Sequence, residues 1–179
     1  MYLAANRAGV VHMTAFTYRF AAAMRYLKHL TKGGALGEPR HLRSQRFLDL
    51  PETHWGWRQY KALAGAGDLF DMTIHRLDLG MDLLGPLHWI CGAITRFAER
   101  DQTAEGKPCR PSEVDDWSSM IGEFREGGVG VWEGTTLAKG GTPARAFTTS
   151  GRKSTDLRVQ RCISSTLPTP FCWERPAAI

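Results

Sequence analysis

Apolar positions recur at two periods along this chain, and the change of period marks its elements. From Phe20 to Lys32, Phe20, Met24, Leu27 and Leu30 stand at helical spacing among good helix formers, with Gly33 and Gly34 as the stop. His41 to Leu50 alternates instead, with Leu42, Ser44, Arg46 and Leu48 opposed to Arg43, Gln45, Phe47 and Asp49, and this pattern predicts a strand. A second helix is predicted from Asp68, a suitable N-cap, to Leu84, where Gly85-Pro86 ends it. Phe70, Ile74, Leu77, Met81 and Leu84 form its expected buried face, beside a polar stripe of Asp71, His75, Asp78 and Asp82. Strands are expected at His88 to Glu99, Trp117 to Arg125 and Val129 to Leu137, the last two joined as a hairpin through Glu126-Gly127-Gly128. Helices followed by such strands predict an α+β fold, an open, mostly antiparallel sheet with helices packed on one face.

The two ends read differently. Leu3 to Ala8 look like the last turns of a helix stopped by Gly9, and Val10 to Phe16 like a short apolar strand, so the chain is expected to open on the last helix stump and strand of a larger parallel sheet. Residues 140–179 hold ten Ser and Thr and four Pro with no apolar period. No regular structure is expected there, and the abrupt switch suggests a shifted reading frame near Thr142 to Thr149. Three parts follow: residues 1–17 as the remnant of a preceding domain, 18–139 as the main α/β domain and 140–179 as an aberrant or disordered tail.

Composition narrows the function classes. The 179 residues, 42% hydrophobic and 23% charged, fit a globular domain. No apolar run approaches the roughly 20 residues of a membrane span, and the start lacks a secretion signal's order, so a cytoplasmic protein with no membrane partner is expected. The four cysteines include no C-x-x-C pair, which predicts reduced thiols rather than a zinc ribbon or disulfide framework. The net charge of +5 is concentrated: residues 1–139 carry +1 and residues 140–179 carry +4. A basic tail without nucleic-acid-binding motifs gives no reason to expect a nucleic-acid partner.

The chemistry concentrates in Ala64-Gly65-Ala66-Gly67-Asp68-Leu69-Phe70-Asp71-Met72-Thr73-Ile74-His75. Asp71 and His75 are four apart and project to one side of a helix. A neutral imidazole can accept the proton of an alcohol, and a nearby carboxylate favours the imidazolium that results. The same spacing suits an ordinary surface pair. His75, Asp71 and Asp78 also admit a metal-hydrolase reading, but the other histidines form no ligand-spaced cluster, so no metal is expected. Gly65-Ala66-Gly67 is a turn before a helix, without the strand and third glycine of a dinucleotide fingerprint.

The glycine-rich turn followed by Asp71-x-x-x-His75-x-x-Asp78, the preceding Trp57-Arg58, and Phe16-Thr17-Tyr18-Arg19-Phe20 leading through Leu27 to Gly33, Leu36 and Gly37 resemble the Gfo/Idh/MocA family over roughly residues 3–138. Members have an N-terminal Rossmann domain for NAD or NADP and a C-terminal α/β domain on a large open sheet. The resemblance implies that His75 is the proton acceptor and Asp71 its partner. It also implies that Tyr18, Arg19, Trp57 and Arg58 lie near substrate. The phosphate loop and the Glu-Lys-Pro segment have no counterpart, so no cofactor-binding residue is assigned. The expectation is therefore the substrate-side domain of an NAD(P)-dependent dehydrogenase acting on a sugar or polyol, inactive alone and self-associating through the sheet face. The alternative is a non-enzymatic sheet module for self-association.

Overall fold

The computed structural model describes residues 1–138 and, beyond them, the backbone pairing of Thr142–Pro143 and Leu157–Val159. Helix α1 (Tyr2–Ala8) is closed by Gly9 in the left-handed conformation, φ 63°, as its glycine stop predicts. The strand expected at Val10 to Phe16 does not form. Val11 and Met13 stand exposed. Among the described residues no strand lies alongside this segment, and an apolar run without a neighbour to exchange backbone hydrogen bonds cannot be a strand. A 3-10 turn (Thr17–Phe20) leads into α2 (Ala22–Lys32), so Phe20 falls outside the helix and is exposed.

Strand β1 (His41–Asp49) follows, then the short helix α3 (Lys61–Ala64), a π turn (Leu69–Thr73) and α4 (Ile74–Leu84). The sheet is completed by β2 (Leu87–Thr95), β3 (Trp117–Phe124) and β4 (Val129–Thr135) in the order β2-β3-β4-β1. The β2–β3 and β3–β4 pairs are antiparallel and β1–β4 is parallel, so the sheet is open and mixed. Strands β5 (Thr142–Pro143) and β6 (Leu157–Val159) pair with β1. The rest of the expected irregular tail, with the expected frame shift, lies outside the described residues. No helix among the described residues is long and apolar enough to cross a membrane.

Leu42 and Ser44 of β1, Phe124 of β3 and Trp132 of β4 are buried on the sheet face that meets α4, and α2 packs on α4 in turn. Trp132 is fully enclosed, and its indole N–H donates to the Arg76 carbonyl at 3.1 Å. Two glycines make room for it. A Cβ on Gly80 of α4 would lie 2.9 Å from the indole, and one on Gly130 of β4 would lie 2.2 Å from it. This tight crossing corrects the expected orientation of α4. The stripe facing the sheet is Thr73, Arg76, Leu79, Gly80 and Leu83, whereas Phe70 is exposed and Leu77 and Leu84 are flanking contacts. The helix turns the position that tolerates close approach, Gly80, toward the largest side chain of the sheet. Asp78 and Asp82, on the polar stripe, are covered by Arg19 and Lys28.

The opposite sheet face has no helix over it among the described residues. Phe47, Trp89, Ile121 and Val129 are all exposed there.

Candidate active site

The turn before the helix is held from across the molecule. Asp115, in the loop before β3, accepts the backbone N–H groups of Gly67 and Leu69, both at 2.8 Å. Those donors would otherwise be unpaired at the start of a helix. Asp115 is therefore the capping carboxylate, and Asp68, the expected N-cap, makes no capping bond. Gly67 is obligatory, because a Cβ there would lie 1.8 Å from the Asp115 carbonyl oxygen. The next residue, Asp116, turns the other way: it accepts Phe97 and Ala98 N–H groups at 2.9 Å and pairs with buried Arg100 at 3.2 Å.

Asp68 points inward. Its carboxylate accepts the hydroxyls of Ser118 at 2.6 Å and Thr73 at 2.9 Å. Thr73 Oγ1 in turn accepts a guanidinium N–H of Arg76 at 2.6 Å. Asp68 and Thr73 are five residues apart, a spacing that an α-helix places roughly 140° apart around its axis. The π turn brings them together: the Ile74 N–H bonds the Leu69 carbonyl, five residues back, widening the turn. Gly134 of β4 leaves the space, since a Cβ there would approach Arg76, Asp68 and Thr73 at 2.6, 2.7 and 2.9 Å. Burial pushes the Asp68 carboxyl up from its ordinary range, against its hydroxyl donors and Arg76, and pulls the Arg76 guanidinium down to about 10.

With its inner side committed, this segment presents Asp71 and His75 outward. Asp71 lines a cleft of about 140 Å³ together with Trp55, Trp57, Arg58, Ala66 and Phe70. Arg58 lies over the Trp57 ring at 4.8 Å, and its Nε is 3.8 Å from Asp71 Oδ1. His75 lies to one side, its ring against Phe16 at 5.5 Å and Tyr18 at 5.7 Å. Its Nδ1 is buried and has no hydrogen-bond partner, which for a neutral polar group costs about 1–3 kcal/mol. Among the described residues no hydrogen bond or ion pair joins Asp71 to His75.

Of the six expected site residues, the structure thus groups Trp57, Arg58 and Asp71 in the cleft and Tyr18 with His75 beside it. Arg19 is engaged elsewhere. It forks onto Asp78 through 2.5 and 2.8 Å contacts and reaches Asp82 at 3.2 Å, and the Asp78 bond holds its charge above the usual arginine range. Asp78 is therefore drawn away from Asp71 and His75, and the described residues contain no metal-ligating cluster. Sequence reasoning missed Arg46, which donates to the Tyr18 hydroxyl at 2.8 Å, and the buried set Asp68, Thr73, Arg76, Ser118 and Asp115. The adjacent acids Asp115-Asp116 ahead of an apolar strand were the available signal for the last.

The turn Gly65-Ala66-Gly67 does not fit a dinucleotide's phosphates. It follows α3 rather than a strand, and the amides a phosphate would use are occupied by the Asp115 carboxylate, which repels another anion.

The model of the GFO/IDH/MocA C-terminal domain matches residues 24–155. The chain belongs to the Gfo/Idh/MocA family. It is 30% identical over 155 residues to levoglucosan dehydrogenase of Pseudarthrobacter phenanthrenivorans, a match covering 78% of this chain and 40% of that protein. A solved levoglucosan dehydrogenase in complex with NADH and L-sorbose superposes with a TM-score of 0.74 at 30% identity, over 79% of this chain and 39% of the other. An NAD-binding oxidoreductase from Klebsiella pneumoniae gives a TM-score of 0.71 at 29% identity, over 79% and 38%. The chain thus spans about two fifths of the length of these Gfo/Idh/MocA relatives. Its α+β sheet is the C-terminal domain fold of the family.

The raised Asp68 carboxyl carries a sign that can be tested. In the folded state it keeps its proton at a pH where the unfolded chain has released it. The stability this confers is complete below the unfolded-chain value and is lost as pH rises through the folded one. The stability difference between wild type and Asp68→Asn, from urea unfolding across acidic pH, is expected to shift against wild type as pH rises. A pH-independent difference contradicts the assignment.

Proposed function

We propose that these residues form the substrate side of an NAD(P)-dependent dehydrogenase that oxidises a hydroxyl of a sugar or polyol. The observation that carries this reading is the cleft itself: an aromatic wall of Trp55, Trp57 and Phe70 beside the planar polar groups of Arg58 and Asp71, one helical turn from His75. Flat rings suit the C–H faces of a sugar, and a few fixed polar groups orient its hydroxyls. Levoglucosan dehydrogenase, whose solved complex holds NADH and L-sorbose, supports a sugar and a nicotinamide as the reactants.

In this reading His75 accepts the hydroxyl proton at Nε2, the ring nitrogen that is not enclosed, and Asp71 balances the imidazolium. Trp57 and Arg58 hold the substrate, and Tyr18, fixed by Arg46, orients the His75 ring. Arg19 acts on substrate indirectly, by tying the segment before α2 to α4 through Asp78. The hydride of the same alcohol goes to a nicotinamide, which the described residues do not hold; their own share is the proton half of the reaction. NMR titration with levoglucosan, L-sorbose and simple polyols is expected to move the Trp57, Asp71 and His75 signals saturably in wild type and more weakly in Asp71→Asn. Signals that stay in place up to high millimolar sugar contradict the reading.

A self-associating sheet module is favoured separately by the uncovered face bearing Phe47, Trp89, Ile121 and Val129. We propose a symmetric homo-oligomer through this face, which serves the enzyme as readily as a non-enzymatic module. Sedimentation velocity is expected to show a dimer or larger assembly that Ile121→Lys dissociates. A wild-type monomer at all accessible concentrations contradicts it.

A further inference from the structure

Three facts about neighbouring groups do not fit a site already assembled for proton transfer. Asp71 is held by Arg58 at 3.8 Å, a loose pairing longer than a hydrogen bond, between side chains 49% and 39% exposed. Nδ1 of His75 is sealed from solvent with no acceptor. The rings that meet the imidazole, Phe16 and Tyr18, supply none to it.

A neutral imidazole carries one proton, and its position decides whether the ring can act. With no acceptor at Nδ1, the proton is better placed on Nε2, where water accepts its hydrogen bond. That tautomer has no lone pair at Nε2 and cannot take a proton from a substrate hydroxyl there. The active tautomer carries the proton on Nδ1 and needs an acceptor beside it. Asp71, four residues earlier and also turned outward, is the carboxylate nearest in sequence that Arg58, rather than a buried partner, engages.

We propose that Arg58 is a positioning residue that holds Asp71 off His75, and that the base is assembled when a ligand in the cleft takes over the Arg58 guanidinium. A hydroxylated or anionic ligand group accepts the Arg58 N–H donors, and Asp71 is released to accept Nδ1–H from His75. The Nε2 lone pair is then exposed toward the bound hydroxyl. The exchange moves no electrons: the Nε2 proton is lost to water, and Nδ1, sealed from solvent, receives one by way of the released Asp71 carboxylate, so the ring stays neutral. Because Arg58 stands against the Trp57 ring in the wall of the cleft, ligand capture and release of Asp71 occur at one guanidinium. This inference rests on the proposed roles of Asp71 and His75.

The test needs no substrate. Nitrogen-15 imidazole shifts of the full chain, recorded at mildly alkaline pH, distinguish the two tautomers of His75. Wild type is expected to show Nε2–H as the major form. Arg58→Gln is expected to reverse the ratio toward Nδ1–H, and Arg58→Lys to keep the wild-type ratio. Combining Arg58→Gln with Asp71→Asn is expected to abolish the reversal, since an amide is a poorer acceptor for the imidazole. An unchanged ratio in Arg58→Gln overturns the proposal, and so does an equal change in the double variant. Because no sugar is present, either failure leaves the dehydrogenase reading to be judged by its own titration.

Discussion

A carboxylate and a guanidinium lie buried beneath the start of the main helix, joined through the hydroxyl of Thr73, and the outward face of that helix depends on them. Asp68 and Arg76 are each 1% exposed, and Ser118 on β3 supplies the second hydroxyl to Asp68. Removing either group leaves buried polar partners without their hydrogen bonds, which costs about 1–3 kcal/mol. The layer therefore fixes how the helix is rotated on the sheet. Gly134 marks the same constraint from below, since any side chain there would occupy the space of the three polar groups.

The site follows from this rotation. With Asp68, Thr73 and Arg76 turned in, Asp71 and His75 are turned out, and the widened turn between Leu69 and Thr73 reconciles the two halves. Asp115 fixes the start of the segment, and Trp132 in its slot between Gly80 and Gly130 fixes the middle of the helix. Asp71 and His75 stand on the π turn and α4, while Trp57 and Arg58 come from one short 3-10 turn and Phe16 and Tyr18 from the start of another. Two outward side chains on one helical segment, met by groups from separate turns, suit the proposed pair that engages only when ligand is present.

Much of this was legible from periodicity. The alternation from His41 to Leu50 and the strands after Leu87 are found close to their expected bounds, and in β1, β3 and β4 the pattern matches a surface buried on one side. The stretch from Val10 to Phe16 had the apolar content of a strand but no partner among the described residues, and pairing is a property no segment carries alone. The buried face of α4 departs from its apolar stripe because Thr73, Arg76 and Gly80 turn inward. Sequence cannot announce that a threonine and an arginine are buried beneath a helix, or that a turn within it has widened. The candidate residues were visible as types and spacings. What was not visible was the division among them, with Asp71 drawn to Arg58, His75 to Tyr18, and Arg19 to Asp78.

If the buried layer places the site, Thr73→Val must disturb the site and spare the core. Valine keeps the shape of threonine and removes only the hydroxyl between Arg76 and Asp68. In two-dimensional NMR spectra the Trp132 indole signal is expected to stay in place, showing the fold retained, while the Asp71 and His75 signals shift or broaden. Asp71 and His75 signals coincident with wild type in a folded variant would contradict the account.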